Sequence, residues 1–123
     1  AYILHRAEEL QIRDKLVLIA QSEMGRTPDY NKGNGKDHWS IGSIMFLGPG
    51  VQGNRVIGAT DAKQFAVPLD PKTLNSVGDA GIRVRPEHIH EALRQFAGIA
   101  DHPYSRQFPL GVKTDELLKN LWG

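Results

Sequence analysis

Lys15-Leu16-Val17-Leu18-Ile19-Ala20-Gln21, followed at once by Ser22-Glu23-Met24-Gly25-Arg26-Thr27-Pro28, is the stretch on which the fold turns. The first seven residues form a short, nearly continuous apolar run. A strand covered on both faces reads this way, and such strands belong mostly to parallel sheets in α/β proteins. The polar stretch after it, from Ser22 to Lys36, shows no apolar periodicity and contains Gly25, Pro28, Gly33, Asn34 and Gly35. It predicts a loop of about 15 residues, a length that is uncommon inside a compact domain and often functional. The loop ends at Asp37-His38-Trp39, and Ile41–Leu47 supplies a second strand.

On the upstream side, residues 2–12 carry Ile3, Leu4, Ala7, Leu10 and Ile12 at helical spacing, with Arg6, Glu8, Glu9 and Gln11 on the other side. This predicts an amphipathic helix, with Arg13-Asp14 as the turn into the strand. Downstream, Gly48-Pro49-Gly50 breaks the second apolar segment. Residues 51–58 then read as a small hairpin with Gly53-Asn54 in its turn. Residues 59–81 hold turn chemistry, including Thr60-Asp61, Pro68 and Asp70-Pro71. A helix is predicted over 86–97, opened by Pro86 and Glu87 and stopped by Gly98, with Ile89, Ala92, Leu93, Phe96 and Ala97 on one face. Past Pro103 the pattern is irregular. Thr114–Leu121 is expected to form a terminal helix that buries Leu117, Leu118, Leu121 and Trp122.

The bulk numbers bound the function. The chain has 123 residues, 40% hydrophobic and 24% charged, which is the balance of one globular domain with its own core. A net charge of +1 gives no electrostatic case for nucleic acid or for an anionic membrane surface. No apolar run approaches the roughly 18 residues of a membrane span. With no cysteine, disulfides, thiolate metal sites and cysteine nucleophiles are excluded. The opening Ala1-Tyr2-Ile3-Leu4, with helical periodicity already running, reads as the cut end of a longer chain. Residues 1–123 are accordingly expected to be a single domain, with 101–123 as a loosely attached tail.

Two places hold residues suited to chemistry. Glu23 and Arg26 follow a buried strand, where ligands bind in open α/β sheets. A carboxylate there can hold a divalent cation or act as a base, and a guanidinium offers a planar fork to phosphate, sulfate or carboxylate. By residue type alone the two also read as a solvated ion pair on a loop. Asp37-His38-Trp39 is the second place. A His ligates metal well when a carboxylate orients its other nitrogen, and Asp37 could supply that or ligate directly. The plainer reading is a turn with Asp37 as its cap. His88 and His90, two apart on a helix, cannot chelate one ion together and read as surface or partly packed histidines. His5 and His102 carry no pattern. No Ser sits in a nucleophile elbow, and the glycines at 48, 50, 53 and 58 do not make a phosphate loop.

Taken in order, Ser22-Glu23-Met24-Gly25-Arg26-Thr27-Pro28, Gly35-Lys36-Asp37-His38-Trp39, Gly48-Pro49-Gly50-Val51-Gln52-Gly53 and Val56-Ile57-Gly58-Ala59-Thr60-Asp61 resemble the C-terminal part of the bacterial proteins of domain of unknown function 1501. The resemblance spans about residues 1 to 100. Those proteins are often exported by the twin-arginine route and are grouped with the alkaline phosphatase and sulfatase superfamily. The resemblance implies part of a three-layer α/β sandwich with a mostly parallel sheet. It also implies a periplasmic or exported location, and a metal-dependent hydrolase of phosphate or sulfate esters acting on a small anionic substrate.

By this resemblance Glu23, His38 and Asp37 would ligate a divalent metal (Zn, Mn or Ca), and Arg26 would hold the substrate's anionic group. The nucleophile and the remaining ligands would come from an N-terminal half of the same chain, so these residues alone are expected to be inactive. One departure stands out. Met24 falls where the family pattern of the superfamily has a His, and a thioether cannot replace an imidazole on a hard or borderline cation. That favours the alternative, a non-catalytic binding or scaffolding module of the cell envelope that kept the fold.

Overall fold

The computed structural model describes residues 2–123. Helix α1, Tyr2–Glu9, is followed by a 3-10 turn at Arg13–Lys15. Four short strands come next: β1 (Leu18–Gln21), β2 (Gly25–Arg26), β3 (His38–Trp39) and β4 (Ile44–Leu47). Further on are helices α2 (Pro86–Phe96) and α3 (Pro103–Gln107), with 3-10 turns at Gly78–Ala80 and Thr114–Glu116. The chain divides into two compact units, one ending at Asn54 and the other running Arg55–Gly123.

In the first unit α1 stops earlier than the apolar stripe suggests. Gln11 takes a left-handed φ of 56°, and the amides of Leu10, Gln11 and Ile12 close back on Arg6, Glu8 and Ala7 carbonyls. That is the capping geometry that satisfies the last carbonyls of a helix. β1 pairs with β4 antiparallel, in the register Leu18↔Leu47, Ile19↔Phe46, Ala20↔Met45 and Gln21↔Ile44. β2 pairs with β3, also antiparallel.

These pairings overturn the expected fold class. The described residues hold two separate two-stranded antiparallel sheets, and no mostly parallel sheet or three-layer α/β sandwich. The reason lies in the connection. Parallel neighbours need a crossover of a dozen residues or more, usually a helix, whereas 22–43 holds no helix and folds as a second strand pair. The apolar run is therefore a strand with two apolar faces, but Ile19 is 40% and Met45 51% exposed.

The second unit carries the core. Leu69, Leu74, Ala92, Leu118 and Leu121 form one buried cluster, with Ile57, Ile82, Val84, Ile89 and Trp122 packed on it. Leu69 sits at its centre, bonded through its backbone to Ile82 in both directions at 2.9 and 2.8 Å. Helix α2 has the limits its sequence signals. Pro86 opens it, and Gly98, at φ 69°, closes it with its amide on Gln95 and that of Ile99 on Arg94.

Two expected elements are absent. Residues 52–59 carry no strand, and Val56 is 93% exposed. Asn54 is left-handed but Gly53 is not, so the tight turn that needs positive φ at both residues does not form. Nor does a helix form over 114–121. After the turn at Thr114–Glu116 the chain goes extended at Leu117, and Lys119 N–H donates to the Pro71 carbonyl at 2.7 Å while Asn120 Nδ2 donates to Lys72 at 2.8 Å. Those bonds take the place of a helical ladder, yet Leu118 and Leu121 are buried as expected. Trp122 stacks on Phe96 at 4.5 Å between centroids and donates Nε1–H to the Ala92 carbonyl.

Candidate functional site

The loop from Glu23 to His38 closes on itself as a ribbon. Gly25 opposes Trp39 and Arg26 opposes His38. A β-carbon at position 25 would fall on the Ile41 carbonyl, so only glycine allows this approach. Past the ladder, Thr27 N–H donates to the Asp37 carbonyl at 3.0 Å and Asp37 N–H to Thr27 Oγ1 at 3.1 Å.

Asn31 organises the tip. Its Oδ1 accepts from Gly33 and Gly35 amides at 3.0 and 3.1 Å, and its Nδ2 donates to Asp37 Oδ1 at 2.7 Å. The Lys36 ammonium donates to the Pro28 carbonyl and lies 5.1 Å from the centre of the Tyr30 ring. Arg26 donates to the Lys36 carbonyl at 3.3 Å. The sequence signals the glycines but not Asn31, whose side chain mimics a backbone turn.

The structure thus brings Arg26, Asp37 and His38 onto one ribbon. Arg26 and His38, as a directly opposed pair, share a face. Asp37 is adjacent to His38 along an extended chain, where neighbouring side chains alternate, and its carboxylate is held by Asn31. Glu23 is exposed, as are Arg26, Asp37 and His38. Among the described residues no three His, Asp or Glu side chains come together as a metal site.

A different residue draws attention in the second unit. His88 is 2% exposed, although its sequence context marks it only as a surface or partly packed histidine. It is the third residue of α2, and its Nδ1 accepts from the Arg85 amide at 2.9 Å while its own amide donates to the Arg85 carbonyl at 3.0 Å. The first of these bonds is the one a Glu or Gln side chain usually makes from that position. Pro86 as first helical residue is the signal that places position 88 there. Burial, and then the Arg85 charge, hold the His88 pKa below its ordinary value, against the pull of Glu116 and Glu87. His102 does similar work one helix later, its Nδ1 accepting from Tyr104 N–H at the start of α3.

Among the described residues, neither of the two clefts that follow is lined by Glu23, Arg26, Asp37 or His38. One, in the first unit, has Glu8, Arg13, Asp14, Gly48 and Pro49 on its walls. The other, in the second unit, is lined by His88 and charged neighbours. No helix among the described residues is long and apolar enough to cross a membrane.

Compared with known proteins, residues 7–89 match the model of a family described as protein of unknown function (DUF1501). No curated protein and no solved structure is similar enough to match the chain.

Proposed function

The chain belongs to the DUF1501 family, and from that premise we propose that it is the anion-holding part of a metal-dependent hydrolase of phosphate or sulfate esters. The observation that supports this reading is the register Arg26↔His38. It sets a guanidinium fork, matched to the oxygens of a phosphate or sulfate group, beside an imidazole suited to hold a metal ion, on an exposed ribbon.

The residues present do not make a metal site by themselves. Asp37 is engaged by Asn31 at 2.7 Å, whereas a catalytic zinc takes three protein ligands plus a water. On this reading Glu23 and His38 are two donors to a Zn, Mn or Ca ion. The rest, and the nucleophile, come from an N-terminal half of a longer, exported chain. The test is elemental analysis and hydrolysis of aryl phosphate and aryl sulfate by the intact protein prepared with Mn or Zn. Arg26→Gln is expected to raise KM most, and Glu23→Ala and His38→Ala to lower bound metal. A protein that holds no metal and cleaves neither ester sinks the proposal.

A second reading is favoured by the Asn31–Asp37 bond and by Met24 beside Glu23. It is a binding or scaffolding module of the cell envelope that does no catalysis. It predicts that all three substitutions leave metal content and turnover unchanged.

A further inference from the structure

The buried ring of His88 has a donor with nothing to donate to. Its Nδ1 accepts from the Arg85 amide at 2.9 Å, so Nδ1 carries no proton and the neutral ring carries it on Nε2. That Nε2 is buried and makes no hydrogen bond. The nearest carboxylate oxygen, Glu116 Oε2, stands 3.8 Å away, beyond hydrogen-bond reach, and already accepts from the Lys113 amide at 3.2 Å. Native structures seldom leave a buried donor unsatisfied, and one that is left calls for an explanation.

The ring lines a cleft of about 480 Å³ together with Arg83, Arg85, Lys113 and Glu116. Three cations there face one carboxylate. Arg83 is steadied by its Nε–H on the Ala66 carbonyl at 3.2 Å, which leaves its terminal amino groups for a ligand. The chemistry of His88 selects the kind of ligand. With Nδ1 committed as an acceptor, Nε2 presents a hydrogen and not a lone pair, so this ring gives to an anion and does not coordinate a metal ion.

We propose that the cleft between the start of α2 and the Lys113–Glu116 turn binds the phosphate or sulfate group of a small molecule. His88, whose buried Nε2–H has no partner, is part of its lining, and Arg83, Arg85 and Lys113 are the cations around it. The volume exceeds that of a bare oxyanion, so an organic portion has room beside it. This site is separate from the ribbon of Arg26 and His38, and it stands or falls independently of the hydrolase reading.

The test is a nuclear magnetic resonance titration of the full chain with inorganic phosphate and, separately, inorganic sulfate, with chloride at matched ionic strength as the reference. The expected result is a saturable shift at the His88 ring and the Arg85 amide that chloride does not reproduce. Lys113→Gln and Arg83→Gln, on exposed side chains, should each weaken that binding about threefold to tenfold while the spectrum stays folded. His88→Gln should abolish it. If that variant fails to fold, the two surface variants carry the same decision. No saturable shift at His88, the same shift with chloride, or shifts confined to Arg26 and His38 would each overturn the proposal.

Discussion

The unit Arg55–Gly123 buries Leu69 to 1% exposure and gathers four more aliphatic residues around it. In the unit ending at Asn54, among the described residues, Ala7 alone is buried, at 3%. The second unit is held by apolar burial, the dominant favourable term in folding. The first is held at its candidate site by polar bonds: the ladder of β2 and β3, the Thr27–Asp37 pair and the three bonds of Asn31. A ribbon of that kind is shaped by geometry with little reserve of stability, which is common for segments that bind and move. Substitutions in the two units should therefore fail in different ways.

The largest effect belongs to the core. Leu69→Ala should cost about 2–5 kcal/mol, the transfer energy plus the cavity it leaves. Ile19→Ala, on the half-open β1–β4 sheet, should cost about 1 kcal/mol or less. Urea unfolding of both variants measures the difference, and equal losses would break the contrast between the units. Next comes Gly25→Ala. Its β-carbon meets the Ile41 carbonyl, and relieving that overlap should cost the ribbon about 1–3 kcal/mol. Hydrogen exchange should quicken at the Thr27 and Asp37 amides while the amides around Leu69 stay protected. Loss of protection in both places would mean that the units do not open separately.

Sequence patterning reached the parts of the fold that one residue type settles. Pro86 and Gly98 bracket α2 because a missing N–H suits a helix start and a left-handed glycine suits its end. The runs around Leu18 and Phe46 read as strands, and Leu118, Leu121 and Trp122 read as buried or packed. What stayed hidden depends on partners. An apolar run shows that a strand has two apolar faces, but not which strand lies beside it, and here that neighbour is antiparallel β4. The segment after Thr114 has helical spacing, yet its amides and Asn120 find the Pro71 and Lys72 carbonyls instead. The ends of the Glu23–His38 loop were legible as polar residues around glycines. That Arg26 faces His38, and that Asn31 takes up Asp37, are facts of register and of one amide's reach. His88 was hidden for the opposite reason: it breaks the pattern of an apolar face by being buried through a capping bond.

A smaller effect is expected at Asn31. Asn31→Ala removes two acceptor bonds and one donor bond from an exposed tip, each worth about 0.5–1.5 kcal/mol where solvent cannot replace it, so a net loss of about 1 kcal/mol confined to the ribbon is expected. The Gly33 and Gly35 amides should exchange faster, and Asp37 should become available to a ligand. If the variant gains affinity for Mn or Zn, the Asn31–Asp37 bond is what withholds the third donor. If the tip amides do not respond, Asn31 does not organise it.

The finest contrast is in the response to acid. His88 is kept neutral in the folded chain by its burial and by Arg85, with Glu116 and Glu87 pulling the other way. The unfolded chain, with an ordinary His near 6.5, takes up a proton that the folded ring refuses. The stability tied to this group is thus fully present above about pH 6.5 and declines as pH falls toward the lower folded value. Asp70 acts later. Its carboxylate accepts from the Lys72 and Thr73 amides at 2.7 and 2.8 Å, which lowers its pKa, so its contribution is lost only as pH falls below about 4. Both groups lie in the second unit, so acid should loosen the core around Leu69 in two stages. His88→Gln keeps an acceptor at the third position of α2 and removes the titration. Urea midpoints from pH 7.5 to 5 should fall in the parent chain and stay flatter in that variant, with the decline below about pH 4 unchanged. Parallel curves over the upper range would show that the buried imidazole is not what acid acts on there.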